Sequence, residues 1–238
     1  MSDTPAKEPY YGDLEKTQQL SQLFAVAREA RDAAWQQRVI EHLAEASFRC
    51  GDPQVMTGPG GFPYFALYIP EPGKPFECYV LSHMVDDFLF ERGWGVVINL
   101  HDNQPDWLLR YGDVVNYKLN KEFYSLPQVP DLPPMGVIES DEQVLVGQPS
   151  ELFLPTPVRN AMRQYLEFHG LNDVKIVLLS RNTPHGTVQQ LIFNLTPGQF
   201  ADEASYNAFA QSLGWFLPQH YLFGAMEERV FEGQFVAI

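Results

Sequence analysis

Hydrophobic positions follow two rhythms along this chain, one recurring every three or four residues and one in short unbroken runs. The helical rhythm dominates residues 14–48, where Leu20, Phe24, Ala27, Trp35, Val39 and Leu43 share a spacing that Arg31 and Asp32 interrupt. Two helices are expected there. Gly58-Pro59-Gly60-Gly61 predicts a turn, and residues 64–69 and 76–81 read as strands joined in a hairpin across the loop from Pro70 to Pro75. Ser82 is placed to cap a helix reaching Arg92, and Gly93-Trp94-Gly95 to stop it and turn into a buried strand at Val96, Val97 and Ile98. Beyond the turn at Pro105, Asp106 and Trp107, residues 114–119 read as a further strand.

The second half spells strand, helix, strand, strand, helix, strand. Val144, Leu145 and Val146 form the first run, closed by Gly147 and Pro149; Thr156 and Pro157 open a helix carrying Val158, Met162, Tyr165 and Leu166, and Gly170 ends it. Residues 174–179 and 188–195 make a hairpin about the breakers from Asn182 to Gly186, and a helix over residues 202–213 follows with Ala204, Ala208, Phe209 and Leu213 on one face. Residues 215–223 read as an aromatic edge strand interrupted by Pro218, and residues 231–238 as one strand more. This order predicts a ferredoxin-like split βαβ domain. The fold class is α+β in two domains: a helical extension (1–34), an N-terminal mixed helix/sheet domain (35–124), a proline-rich linker (125–136) and the C-terminal domain (137–238). The Pro-x-x-Pro spacing of the linker also suits an aromatic groove, but its interdomain position favours an extended spacer.

Composition narrows the function. With 238 residues, 45% of them hydrophobic, the chain can bury its cores without disulfides, so Cys50 and Cys78 are expected as reduced thiols. Against 30 Asp and Glu stand 16 Lys and Arg, a net charge of −14 shared about equally by the halves on either side of Ser125. No basic cluster is present to bind nucleic acid or an anionic membrane. No stretch approaches the roughly 20 apolar residues of a membrane span, and residues 1–16 lack the blocks of a signal peptide, so a cytosolic protein is expected.

Candidate chemistry is sparse. His83, Asp86 and Asp87 share a helix face at i, i+3 and i+4, and with His101 they offer donors for a divalent ion; the H-E-x-x-H pattern is absent, and a solvated face is the plainer expectation. Neither cysteine has a histidine that the sequence places beside it, and no G-x-S-x-G elbow occurs. Gly58, Gly60 and Gly61 precede a strand rather than a helix and lack the following Lys of a phosphate loop. No catalytic residue and no cofactor is expected. The remaining signal is aromatic: Trp215, Phe216, His220, Tyr221 and Phe223 on the expected edge strand are candidate anchors for another protein or a second copy of the chain.

The helix over 35–48, the strand-rich stretch 61–69, the Gly93-Trp94-Gly95-Val96-Val97-Ile98-Asn99 passage, Val146-Gly147-Gln148-Pro149, the helix 157–169 and the run 174–179 together resemble the enhanced-serine-sensitivity protein family. Leu100-His101 departs from that pattern where a Pro-Gly turn is expected, and the helical stretch before Trp35 is an addition. The resemblance implies two α+β domains in a cytosolic bacterial protein with a metabolic or regulatory association, and it transfers no site residue. The leading expectation is a non-enzymatic binding or regulatory protein. The alternatives are an acidic immunity-type protein that neutralises a basic toxin, and a metal-assisted hydrolase using His83, Asp86 and His101.

Overall fold

The computed structural model describes residues 11–125, 144–183 and 186–238. The chain is an α+β protein divided into two compact units: Met1–Phe88 with Val96–Leu108, and Leu89–Gly95 with Leu109–Ile238. From residue 126 onward the proline-rich linker lies outside the described residues, as do the tip of the 182–186 turn and the start of the helical extension.

In the first unit, α1 (Leu14–Phe24) starts at Asp13, whose carboxylate accepts from the Glu15 and Lys16 amides. Asp32, read as a helix breaker, caps α2 (Ala33–Leu43) by accepting from the Trp35 N–H at 2.8 Å. Arg31 closes the end of α1: its guanidinium donates to the carbonyls of Phe24 and Val26 and to Asp106 Oδ1 at 2.8 Å. Helix-end carbonyls without intrahelical partners are thus satisfied by one side chain. Asp106 in turn accepts from Asn99 Nδ2, and Asn99 Oδ1 accepts from the Ile69 amide, so a single polar chain ties α1 to the sheet.

That sheet runs β3-β1-β2-β4-β5, with β1 (Ser47–Thr57), β2 (Pro63–Tyr68), β3 (Tyr79–Val80), β4 (Gly95–Ile98) and β5 (Trp107–Leu109). The helical reading to Phe48 overshoots, because the chain turns into β1 at Ser47; Gly51, Asp52 and Pro53 interrupt the strand pattern of this segment. The expected hairpin between 64–69 and 76–81 does not form either, since β1 lies between β2 and β3 and is antiparallel to both. The second of those strands shrinks to two residues because Leu81 begins a helical run: α3 (Leu81–Met84), a π turn (Val85–Leu89) and α4 (Phe90–Arg92). Ser82 does not cap it; the Ser82 amide donates to Ala44 O. Gly93 ends the run at φ 67°, and a Cβ there would also meet the Ala161 methyl at 3.0 Å.

In the second unit, residues 114–119 are helical rather than extended, within α5 (Tyr111–Asn120). Every residue from Tyr111 to Tyr117 is buried, so no polar face marks a helical period and the β-branched run imitates a strand. Gly112 allows this packing: a Cβ on it would lie 2.0 Å from the Leu217 carbonyl oxygen. The following elements are β6 (Val144–Gly147), α6 (Thr156–Phe168), β7 (Lys175–Thr183), β8 (Gly186–Phe193), α7 (Glu203–Ser212), β9 (Leu222–Ala225) and β10 (Val236–Ala237). Their order matches the sequence reading; their pairing does not match a ferredoxin-like sheet. The strands flanking α6 are antiparallel neighbours, β7 and β8 form the expected hairpin, and only β8 and β9 are parallel, bridged by α7. Pairing is therefore sequential instead of interleaved. On its other edge β7 is shared, with β10 opposite Lys175 and Ile176 and β6 opposite Leu178 to Arg181. Val177, Leu179 and Ile192 on one face pack with Phe235, joined by Val144, Val146, Met226 and Phe231. No helix among the described residues is long and apolar enough to cross a membrane.

Candidate functional site

The second unit contains a continuous ladder of rings. α6 starts without a Thr156 cap: Thr156 donates both its amide and its hydroxyl to Glu151, each at 2.8 Å, and this holds the Glu151 carboxyl below the usual range. Val158, Met162 and Leu166 turn inward from the helix. Next to that stripe Tyr165 packs on Phe216 (5.2 Å between ring centroids), Phe209 (5.6 Å) and His169 (4.4 Å). Phe216 rests on Trp215 at 5.0 Å, and Trp215 on Tyr111 at 5.7 Å. Outward, His169 meets Phe168 at 5.3 Å, and Phe209 meets Phe200, which meets Tyr206. The ladder climbs from Tyr111, wholly buried, to Phe168, which is 85% exposed.

Its upper rungs are fixed in place. The Tyr165 hydroxyl donates to Ser212 Oγ at 2.8 Å, joining α6 to α7, and Asp202 caps α7 by accepting from the Ser205 amide at 2.7 Å. His169 Nδ1 lies 2.9 Å from the Tyr165 carbonyl, which only accepts, so Nδ1 is the donor in this contact. No Lys or Arg occurs between Arg181 and Arg229, whereas Glu167 adjoins Phe168 and Asp202 and Glu203 lie between Phe200 and Tyr206. Glu167, Asp202 and Glu203 thus flank these rings in sequence, while α6 also carries Arg159 and Arg163.

The residues singled out from sequence take other places. Trp215 and Phe216 are only 5% and 3% exposed, so they are core side chains and not edge anchors. They belong to a short 3-10 turn continuing from α7, and the strand begins only at Leu222, after Pro218 accepts from the Tyr221 amide. Tyr221 stacks on Phe153 at 4.3 Å, and burial pushes its hydroxyl up to about 12. His220 is half-buried with Nδ1 enclosed and unpartnered; burial lowers its pKa, opposed by the charge of Glu122. Phe223 lies against Gly214. Tyr221, His220 and Phe223 thus remain half-buried near the foot of the ladder, while its exposed end, Phe168, was missed. The available signal was a large aromatic on the polar side of an amphipathic helix.

The proposed metal donors are not assembled: among the described residues no three of His, Cys, Asp and Glu come together as an ion would require. Asp86 and Asp87 face solvent, and His101 sits in a tight turn with its ring edge-on to Tyr68. Both thiols are free. The register Phe48↔Tyr79 puts Cys50 and Cys78 on opposite faces of the β1/β3 pair, which prevents a disulfide. The buried carboxyl of Asp113 is occupied structurally, accepting from the Arg110 amide at 2.8 Å and from Gln219 Nε2 at 2.9 Å. Its pKa is raised by burial against the opposing pull of Arg110. In the first unit, α1 and α2 enclose a groove of about 270 Å³ lined by Gln19, Gln22, Leu23, Val26, Arg38 and His42.

The chain matches no family model, no curated protein and no solved structure.

Proposed function

We propose that this is a non-enzymatic cytosolic binding protein whose partner is another protein, docked through a basic segment on the exposed end of the ring ladder. The observation that carries this reading is Phe168, an aromatic side chain 85% exposed at the end of a row of rings reaching the core. Such a side chain adds large apolar area to an interface at low conformational cost, and aromatic residues dominate binding hot spots. Glu167 beside it and the net charge of −14 favour a cationic partner and speed its approach. A basic toxin is one partner of this kind, which keeps the immunity-type reading within the proposal. The pattern resemblance to the enhanced-serine-sensitivity family supports a regulatory association and assigns no residue.

Capture from a native lysate with wild type, Phe168→Ala and Glu203→Gln, at low and high salt, tests the reading. Loss of the same basic partner on Phe168→Ala and at high salt is expected, at a cost of about 2 kcal/mol or roughly 30-fold in affinity. Identical partners retained by both variants at both salt levels would end it.

A further inference from the structure

The groove between α1 and α2 lies in the first unit and makes no use of the ring ladder. Its walls follow from helical spacing: Leu20, Leu23 and Phe24 on α1 and Trp35, Val39 and Leu43 on α2 are buried, and the flanking positions Gln19, Gln22, Arg38 and His42 line the concavity. Leu23 and Val26 supply apolar wall. No carboxylate lines it; Gln19 Nε2 donates to Glu15 at 3.5 Å.

Arg38 is the informative residue. Acids outnumber bases 30 to 16 in this chain, and Arg28, Arg31, Lys74, Arg110, Lys175 and Arg229 each sit against a carboxylate. Arg38 has none among the described residues; its Nε makes one long bond, to the Ala34 carbonyl at 3.4 Å, and its two terminal nitrogens remain for an outside acceptor. One turn along the same helix face, His42 has its Nδ1 enclosed with no partner. A buried N–H without an acceptor costs more than a buried lone pair without a donor, so the proton belongs on Nε2 and the ring is a donor at its outer end.

We propose that this groove binds a small aliphatic carboxylate. The carboxylate takes the two terminal N–H groups of Arg38, for which the guanidinium fork is matched, with the His42 ring as a further donor. The aliphatic part lies on Leu23 and Val26, and the carboxamides of Gln19 and Gln22 read a polar substituent. At about 270 Å³ the site falls just below the roughly 300–1,000 Å³ of pockets for drug-sized ligands, which limits the ligand to a small metabolite.

Calorimetry on the full chain with butyrate, succinate, the neutral isostere succinamide and inorganic phosphate tests this. Saturable binding of butyrate or succinate, with none of succinamide, is expected. Arg38→Gln should weaken it about tenfold or more, the scale of one charge-assisted bond. His42→Gln should weaken it less, and Lys74→Gln should leave it unchanged. Because Arg38 is exposed, Arg38→Gln should melt with wild type, which separates lost binding from lost folding. No saturation by either carboxylate up to about 10 mM, well above a 1 mM Kd, would overturn the proposal. So would equal binding to Arg38→Gln, or a preference for phosphate.

Discussion

Trp35 in the first unit and Trp215 in the second are almost equally buried, yet their surroundings differ in kind. Trp35 is enclosed: its Nε1 donates to Leu23 O at 2.8 Å, Arg31 stacks over its ring, and its aromatic neighbours Phe24 and Trp107 belong to the same interior. Trp215 lies between Tyr111 and Phe216 in a series of rings that leads outward to Phe168. The first unit uses aromatic area to close a core around a paired charge. In the second, aromatic packing braces side chains that remain in water. Exposure at the end of a continuous series of rings is what distinguishes Phe168 from the other exposed side chains.

This contrast is broken most severely at Gly112. Any Cβ there drives into the Leu217 backbone beneath Trp215 and Phe216, so Gly112→Ala should lower stability by roughly 3 kcal/mol or more in urea unfolding, and should reduce partner capture with it. Arg31→Met tests the first unit. It removes the shortest ionic partner of Asp106, leaving Asn99 and the more distant Arg28, and strands the Phe24 and Val26 carbonyls where the Arg31 and Asp106 side chains are 10% and 12% exposed; a loss of about 3 kcal/mol is expected. Phe168→Ala should act oppositely to both, leaving stability within about 0.5 kcal/mol of wild type, as befits an exposed site, while removing the partner. A large fall in melting temperature on Phe168→Ala would make the ladder a structural feature only.

The smallest effect is a pH dependence at the ladder's foot. Burial depresses the pKa of His220 below its ordinary 6.5, so the folded state binds fewer protons than the unfolded chain, and this contribution to stability is complete above 6.5 and lost as pH falls through the folded value. Asp113 has the reverse sign, since its pKa is raised from 3.8 and its contribution is lost as pH rises above that value. His220→Gln should therefore flatten the stability profile below pH 6.5 and leave it unchanged above. An unchanged slope in the variant would assign the dependence elsewhere.

Local signals in the sequence were dependable where one residue decides the backbone. Asp32 divides α1 from α2, Gly93 stops α4, and the breakers after Asn182 turn β7 into β8. The errors arose where burial on all sides removed the alternation that marks a helix, as in α5, or where Gly51 and Pro53 sit inside a strand. Strand order was illegible for a different reason: β6, α6 and β7 have the same periodicity whether the strands pair directly or across an intervening one. The candidate surface was half legible. Trp215 and Phe216 were rightly marked as part of an aromatic concentration, but no linear pattern shows that Tyr165 and His169, on another helix, continue it.

The shared edge of β7 gives one strand two rates of exposure. β10 covers Lys175 and Ile176 with only two residues, whereas β6 covers the four from Leu178 to Arg181. Amides of β7 that point to this edge should exchange with deuterated solvent in two classes. Those facing β10 are covered by a pair of two residues and those facing β6 by one of four, so the first class should open at the smaller free energy. The strand is continuous in hydrogen bonding to β8, so a difference between the two classes would report its outer edge alone.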